Sequence, residues 1–258
     1  MNKFLEMPCA PTIGIAPLTT GDPAYAPARV QALFDAMAPT YGFAPWLSGG
    51  MLGRWRQQLV DALHLPAENQ PVQVVDLMAG GADLWPALRR CLGCSLHLTA
   101  VDFSAAMLAR ASRHAAGSRL ALHPADALAT GLPAGQAHLV TSTFGLKTLA
   151  PAAYPALAHE AARLLQPGGQ LALLEVVLPT RGWLRRLLHA YLALLIPLVQ
   201  RLCPAAAVHA ALAGYLRRGS DPGQLRHALR QAGFGKLRQQ RLWPGCAVLL
   251  TAELTSAR

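Results

Sequence analysis

The sequence predicts an α/β protein built on a mostly parallel β-sheet. Three observations point there. Short apolar runs alternate with helical patterns through the middle of the chain, the rhythm of βαβ units. Three of those runs end at or near an aspartate, Asp76, Asp102 and Asp126. The first of them leads straight into a turn containing Gly80-Gly81.

Taken in order, residues 1–27 are rich in Pro, Thr and Gly and read as an irregular lead-in. From 28 to 64 the pattern is helical. Leu33, Phe34 and Met37, then Leu52, Trp55, Leu59 and Leu63, recur at i, i+3/i+4 spacing, with breaks at Ala38-Pro39 and Ser48-Gly49-Gly50. Residues 72–76 form a strand and 84–92 a helix. Strand 97–102 is followed by helix 105–114, and strand 120–123 ends near Asp126. Strand 138–144 precedes helix 154–165, and Leu165-Gln-Pro-Gly-Gly169 reads as a turn into strand 170–177. A long helical stretch at 181–218 then interrupts the rhythm. Ser220-Asp221-Pro222 starts a helix that Gly233 stops, and 247–254 is the final strand.

Composition bounds the function. The 258 residues are 53% hydrophobic and 14% charged, which excludes a disordered chain and suits one large domain. The net charge of +10 is not spread evenly. Residues 1–177 carry 11 basic and 11 acidic side chains, whereas 178–241 carry 11 basic side chains and only Asp221. Such asymmetry suggests an anionic partner: a membrane surface, a nucleic acid or an acidic substrate. The best apolar run, Leu187 to Val199, is interrupted by His189 and Pro197, short of the ~20 residues that cross a bilayer. The N-terminus lacks a continuous apolar stretch, so a secretory signal is not expected. Five scattered cysteines do not form a disulfide framework, and the cytoplasm is the expected location. Cys91 and Cys94 have C-x-x-C spacing without a second ligand pair nearby, so no metal site is expected. Nothing in the sequence points to an oligomeric state.

Ligands of open α/β sheets sit at the carboxyl ends of the strands. Asp76 is followed by Met78-Ala79-Gly80-Gly81-Ala82, small residues that let a ligand approach the backbone. Asp102 lies 21 residues after Gly81, a spacing that suits a carboxylate accepting hydrogen bonds from ribose hydroxyls. Asp126 stands where it can meet an adenine amino group. In the competing reading each aspartate only caps the next helix. Neither G-x-G-x-x-G nor a P-loop is present, which counts against NAD(P) and ATP. A nucleoside without phosphates fits better, S-adenosylmethionine above all.

Six segments carry a resemblance: Phe34-Asp-Ala-Met-Ala-Pro-Thr-Tyr41, Val75-Asp-Leu-Met-Ala-Gly-Gly-Ala-Asp83, Val101-Asp-Phe-Ser-Ala-Ala-Met-Leu108, Ser142-Thr-Phe-Gly-Leu-Lys147, Leu164-Leu-Gln-Pro-Gly-Gly169, and Asp221-Pro-Gly-Gln-Leu with Ala232-Gly-Phe234. Over about 28–254 the chain resembles class I S-adenosylmethionine-dependent methyltransferases, and more narrowly the ubiquinone/menaquinone-biosynthesis methyltransferase family. The resemblance implies a Rossmann-like, mostly parallel seven-stranded sheet with helices on both faces and an antiparallel last strand. It implies one methyltransferase domain over 28–258, in which 181–218 is a helical insert on the acceptor side. It also implies that Asp76, Met78 and Gly80 line the methionine end of the cofactor and that Asp102 takes the ribose hydroxyls. Phe103 and Met107 would pack on adenine, Asp126 and Ala127 would hold its edge, Thr143 and Phe144 would border the sulfonium, and Tyr41 would close over it. The chain departs from the family pattern at Met78, at Ala82 in place of glycine, and at Lys147-Thr148 in place of the Arg-Asn pair near the acceptor carbon.

Methyl transfer from a sulfonium needs alignment above all, plus removal of a proton from an oxygen or carbon acceptor. Tyr41, Lys147 and His189 are the candidate catalytic residues. The basic, aromatic and aliphatic 181–218 segment suits an anionic membrane interface, and equally a lid over a hydrophobic acceptor or a buried helix pair with arginines facing water. Its aliphatic content argues against nucleic acid. The sequence thus leads to methyl transfer from S-adenosylmethionine to a hydrophobic, aromatic or quinone-like small molecule. A binding scaffold without transfer and a methyltransferase of lipid head groups are the alternatives.

Overall fold

The structure is a computed structural model that describes residues 22–43, 48–64, 70–114, 119–219 and 221–255. Most of the expected lead-in and Ser220 of the helix-start signal lie outside the described residues. Seven strands form one sheet: β1 (Val72–Leu77), β2 (Leu96–Asp102), β3 (Leu120–Pro124), β4 (Ala137–Thr143), β5 (Leu165–Val176), β6 (Phe234–Leu242) and β7 (Ala247–Leu254). Their order is β3-β2-β1-β4-β5-β7-β6. β1 to β5 pair in parallel, and β7 runs antiparallel between β5 and β6. The order reverses between β1 and β4, which places the ligand crevice outside their carboxyl ends.

The central strands are apolar on both faces because both are covered. Alternate residues fall into two cores. Val74, Leu98, Leu139, Leu174 and Leu249 face one side, and Val75, Val101, Val140, Leu173 and Leu250 face the other. Helices α2 (Met51–Asp61) and α3 (Trp85–Leu92) cover the first side with Trp55, Leu59 and Leu88. Helices α5 (Tyr154–Leu164) and α8 (Pro222–Gln231) cover the second with Tyr154, Leu157, Leu225 and Leu229. The Asp221 carboxylate caps α8 by accepting from the Gly223 and Gln224 amides. Helices α1 (Pro27–Met37) and α4 (Ala105–Ala111) stand beside the crevice, and α6 (Gly182–Leu202) and α7 (Ala210–Arg218) fill the insert.

Three local expectations are revised. The Pro-Gly-Gly turn lies within β5, because Ala137 pairs with Leu165 and Leu139 with Gln170, so the residues between loop out of the ladder. β6 belongs to no apolar run. It is an edge strand whose middle is exposed and charged, with a register shift between Gly235 and Arg238, features that keep a sheet edge from pairing with other chains. The third revision concerns α6. It continues through Pro197 for 21 residues, so by length and composition it could cross a membrane, contrary to the expectation from its interruptions. Proline removes one backbone donor without ending the helix here. Of its side chains only Leu184 is buried.

Burial sets how much each leucine contributes. Leu174 is wholly buried in β5, whereas Leu194 on α6 is 75% exposed. Leu174→Ala is expected to cost about 2–5 kcal/mol in urea unfolding, and Leu194→Ala within about 0.5 kcal/mol. Equal losses would contradict this packing.

Candidate active site

The loop after β1 sets the site. Met78, Gly80 and Ala82 all have left-handed backbones, with φ of 55°, 56° and 54°. A side chain disfavours that region, and only glycine adopts it freely. Two non-glycine residues therefore hold the tight turn under local strain. Space is made across the cleft: a Cβ on Gly145 would come within 2.8 Å of the Met78 Cβ and Sδ.

The loop is fixed by Asp102 at the end of β2. One carboxylate oxygen accepts from the Gly80 amide at 2.8 Å, and the other from the Ser104 amide at 2.8 Å. The Ser104 hydroxyl caps α4 at Met107 and also donates to Asp35 on α1 at 2.5 Å. Gln31 of α1 donates to the Phe103 carbonyl. Asp102 is 9% exposed, and burial raises its pKa against the pull of these two amides. A carboxylate offers about four acceptor positions, so capacity remains beyond the two amide bonds.

Behind the loop, Asp76 is fully buried. Its Oδ1 accepts from Thr141 at 2.7 Å, and its Oδ2 has no partner among the described residues. Burial pushes its pKa up to about 7. Arg56 of α2 points in from the same side. Its guanidinium pairs with Asp83 at 3.5 Å, lies 5.0 Å from the Phe144 ring, and leaves a buried Nε without a partner among the described residues. Tyr41 stands over the cleft under the Arg110 guanidinium, and burial of its phenol pushes its pKa up to about 12.

Of the expected residues, Tyr41, Met78, Gly80, Asp102, Phe103, Thr143 and Phe144 line one narrow cleft of about 30 Å³. Asp76 is fully buried and does not line it. Met107 is buried under the loop, with its methyl 3.1 Å from where a Gly80 Cβ would sit. Asp126 is exposed and accepts from the Leu128 amide, and Ala127 is buried in the second core, so neither reaches the cleft as it stands.

A second, apolar cavity of about 370 Å³ adjoins the cleft. Tyr41 and Phe144 line both spaces. Its walls come from Leu52 and Trp55 of α2 and from Leu188, Leu192, Leu195 and Val199 of α6. Lys147 is at its edge, but its ammonium is engaged by Glu175 at 3.2 Å and by the Phe144 carbonyl. His189 is not part of this cavity. It is exposed and lines a separate groove with Leu178 and Arg217, because the cavity-facing residues of α6 lie on another side of the helix. The histidine in the cavity wall is His209, half-buried, with its Nε2 2.9 Å from the Thr40 hydroxyl and its ring 6.4 Å from that of Tyr41. Burial lowers its pKa, against the raising effect of Thr40.

Sequence reasoning missed Arg56 and His209. Arg56 falls on the apolar face of α2, four residues after Leu52 and three before Leu59, and an arginine at such a position is a readable sign of a buried cation. His209 lies in the short helical turn Pro204–His209 and carries no comparable signal.

The model of the ubiE/COQ5 methyltransferase family matches residues 24–253. The chain belongs to that family. It is a methyltransferase. Among its ubiE/COQ5 relatives, the ubiquinone/menaquinone biosynthesis C-methyltransferase of Methylobacterium nodulans is 31% identical over 85% of this chain and 88% of its own length. The 2-phytyl-1,4-naphtoquinone methyltransferase of Thermosynechococcus vestitus is 30% identical over 87% and 99%. Among solved structures, the [4+2]-cyclase SpnF shares the fold at a TM-score of 0.62 and 15% identity, covering 89% of this chain and 96% of the other. A phosphoethanolamine methyltransferase of Haemonchus contortus, solved with S-adenosylhomocysteine, matches at 0.58 and 12% identity over 90% and 58%. The ubiE/COQ5 assignment thus agrees with the Rossmann-like sheet seen here.

The buried Asp76 carboxyl has a measurable consequence. Its folded pKa of about 7 lies above the ordinary aspartate value of 3.8, so the folded state keeps a proton that the unfolded state releases. Its contribution is full below about pH 4 and is lost as pH rises through about 7. Thermal melts are expected to show a larger drop between about pH 5 and about pH 8 in the wild type than in Asp76→Asn. Parallel curves would contradict the assignment.

Proposed function

We propose that this enzyme transfers a methyl group from S-adenosylmethionine to a lipophilic, quinone-like aromatic ring, in its reduced, hydroxylated form. The observation that carries the reading is the shared wall. Tyr41 and Phe144 separate a carboxylate-bearing glycine cleft from an apolar cavity large enough for a small ligand.

The residues present fit the donor. Asp102 keeps acceptor capacity for the ribose hydroxyls, Asp76 Oδ2 is a buried polar atom without a partner among the described residues, and Arg56 offers a buried guanidinium Nε to a carboxylate. As the side chains stand, the cleft is narrower than a nucleoside, so Tyr41 and its neighbours on α1 open to admit the donor. When bound, the donor supplies a methyl already activated on a sulfonium.

The chain's own groups then align and deprotonate. Tyr41, with its pKa near 12, stays protonated at neutral pH and holds an acceptor oxygen by donating to it. His209, kept neutral by burial, accepts the proton that the acceptor's hydroxyl or ring carbon sheds as the new methyl bond forms. Lys147 is a positioning residue that fixes Phe144 through its carbonyl. The apolar walls exclude water and favour a ring over a charged head group. Cys91, Cys94, Cys203 and Cys246 are free thiols, which suits a reducing cytoplasm as the place of work.

A binding role without transfer draws support from one observation: Met78 and Ala82 stand in the turn with positive φ beside a cleft of about 30 Å³. Calorimetry with S-adenosylhomocysteine, combined with a methyl-transfer assay on a 1,4-naphthohydroquinone, separates the two. Wild-type binding and turnover are expected, with Asp102→Ala weakening binding at least about tenfold. Binding without turnover over a panel of reduced quinones favours the scaffold, and no binding by folded protein defeats both readings. His209→Gln is expected to lower kcat by about 10²-fold and leave donor affinity within about twofold. It should also remove the rising limb of the pH–rate profile, whose midpoint lies below the ordinary histidine value of 6.5. An unchanged profile would rule His209 out as the base.

A further inference from the structure

α6 has two faces with different work to do. Leu188, Leu192, Leu195 and Val199 face the apolar cavity. Trp183, Leu187, Tyr191, Leu194, Leu198 and Leu202 are 45–75% exposed. Their spacing of three and four residues places all six on one helix side. A continuous exposed stripe of large apolar side chains is unusual on a soluble surface and marks an interaction site.

Charge says what covers it. From 176 to 220 the sequence has no Asp or Glu, and it has six arginines, of which Arg181, Arg185, Arg186 and Arg201 flank or belong to α6. A second copy of the chain would present the same positive charge and be repelled. An anionic lipid surface satisfies both the stripe and the arginines. The helix is long enough to cross a bilayer, yet both of its ends are tied to the same domain. Leu184 near its start is packed in the first core. Just beyond its end, His209 bonds Thr40.

We propose that α6 docks this protein on an anionic bilayer, lying in the plane of the interface with the Trp183–Leu202 stripe in the lipid and the flanking arginines at the phosphates. A helix of this length lays about 30 Å of apolar face on the surface. The inner face of the same helix walls the acceptor cavity, so a lipophilic acceptor would pass from bilayer to cavity around a single helix. That consequence rests on the proposed function, whereas the docking itself does not.

Flotation of the full chain with vesicles tests it. Wild-type protein is expected to float with vesicles of 3:2 phosphatidylcholine and phosphatidylglycerol at low salt. Pure phosphatidylcholine or about 0.5 M salt should cut the floating fraction at least roughly fivefold. Leu187→Asn with Leu194→Asn, and separately Arg186→Glu with Arg201→Glu, should each reduce it roughly tenfold on the anionic vesicles. Both pairs should keep the wild-type melting temperature and the wild-type affinity for S-adenosylhomocysteine, which separates loss of docking from loss of the donor site. Three results would overturn the proposal. One is no flotation by folded wild type. Another is a dimer in sedimentation that the leucine pair abolishes, without vesicle binding. The third is retention on vesicles through alkaline carbonate, the mark of a spanning helix.

Discussion

The Asp102 carboxylate is the joint on which the site depends. It is one side chain at the end of one strand, yet it holds the amide of the glycine loop and the amide that opens α4. Through Ser104 the joint extends to Asp35, and through Phe103 to Gln31, so α1 is seated by the same corner. α1 carries Phe34 and leads into Tyr41, both in the wall of the cleft. The position of Tyr41 is thereby coupled to the Asp102 carboxylate, on which the proposed donor site draws. Charge-assisted bonds to backbone amides are stronger than neutral ones, and they are short here because the loop closes on the strand end.

The altered glycine loop shows how a turn survives substitution. Met78 and Ala82 keep the left-handed backbone, so the geometry of the turn outlasts the residues that would adopt it most cheaply. The strain is local, and the bulk of Met78 is accommodated by Gly145 on the facing loop. Met78 is thus part of the cleft wall itself, and it narrows the space between the glycine turn and Phe144.

Much of this was legible in the sequence. The alternation of apolar runs placed β1, β2, β4, β5 and β7 because those strands lie inside the sheet, and β3, at the sheet edge, was marked by Leu120 and Leu122; the three aspartates marked the carboxyl ends. β6 escaped because an exposed, charged edge strand has the composition of a loop. Asp102 was readable from its distance to the glycines, since strand and turn lengths are nearly fixed in such units. Asp126 was placed by the same logic, but it stands exposed, engaged with its own turn at Leu128. Arg56 was marked only by its place on the apolar face of α2, whereas His209 comes to the site through tertiary packing from far along the chain, which no local spacing encodes. His189 was named for its place in the 181–218 segment near the expected site, and the turn of the helix puts it in a separate groove.

The distribution of charge along the sheet has a dynamic side. The balanced 1–177 segment supplies β3, β2, β1, β4 and β5, and the basic 178–241 segment supplies α6, α7, α8 and the β6 edge. The excess positive charge is therefore carried by the part of the fold that includes the apolar stripe of α6. Near a negatively charged surface, over roughly 10 Å at physiological salt, such a body feels a torque as well as an attraction. It turns as it diffuses, so its orientation is settled during approach, before any side chain makes contact.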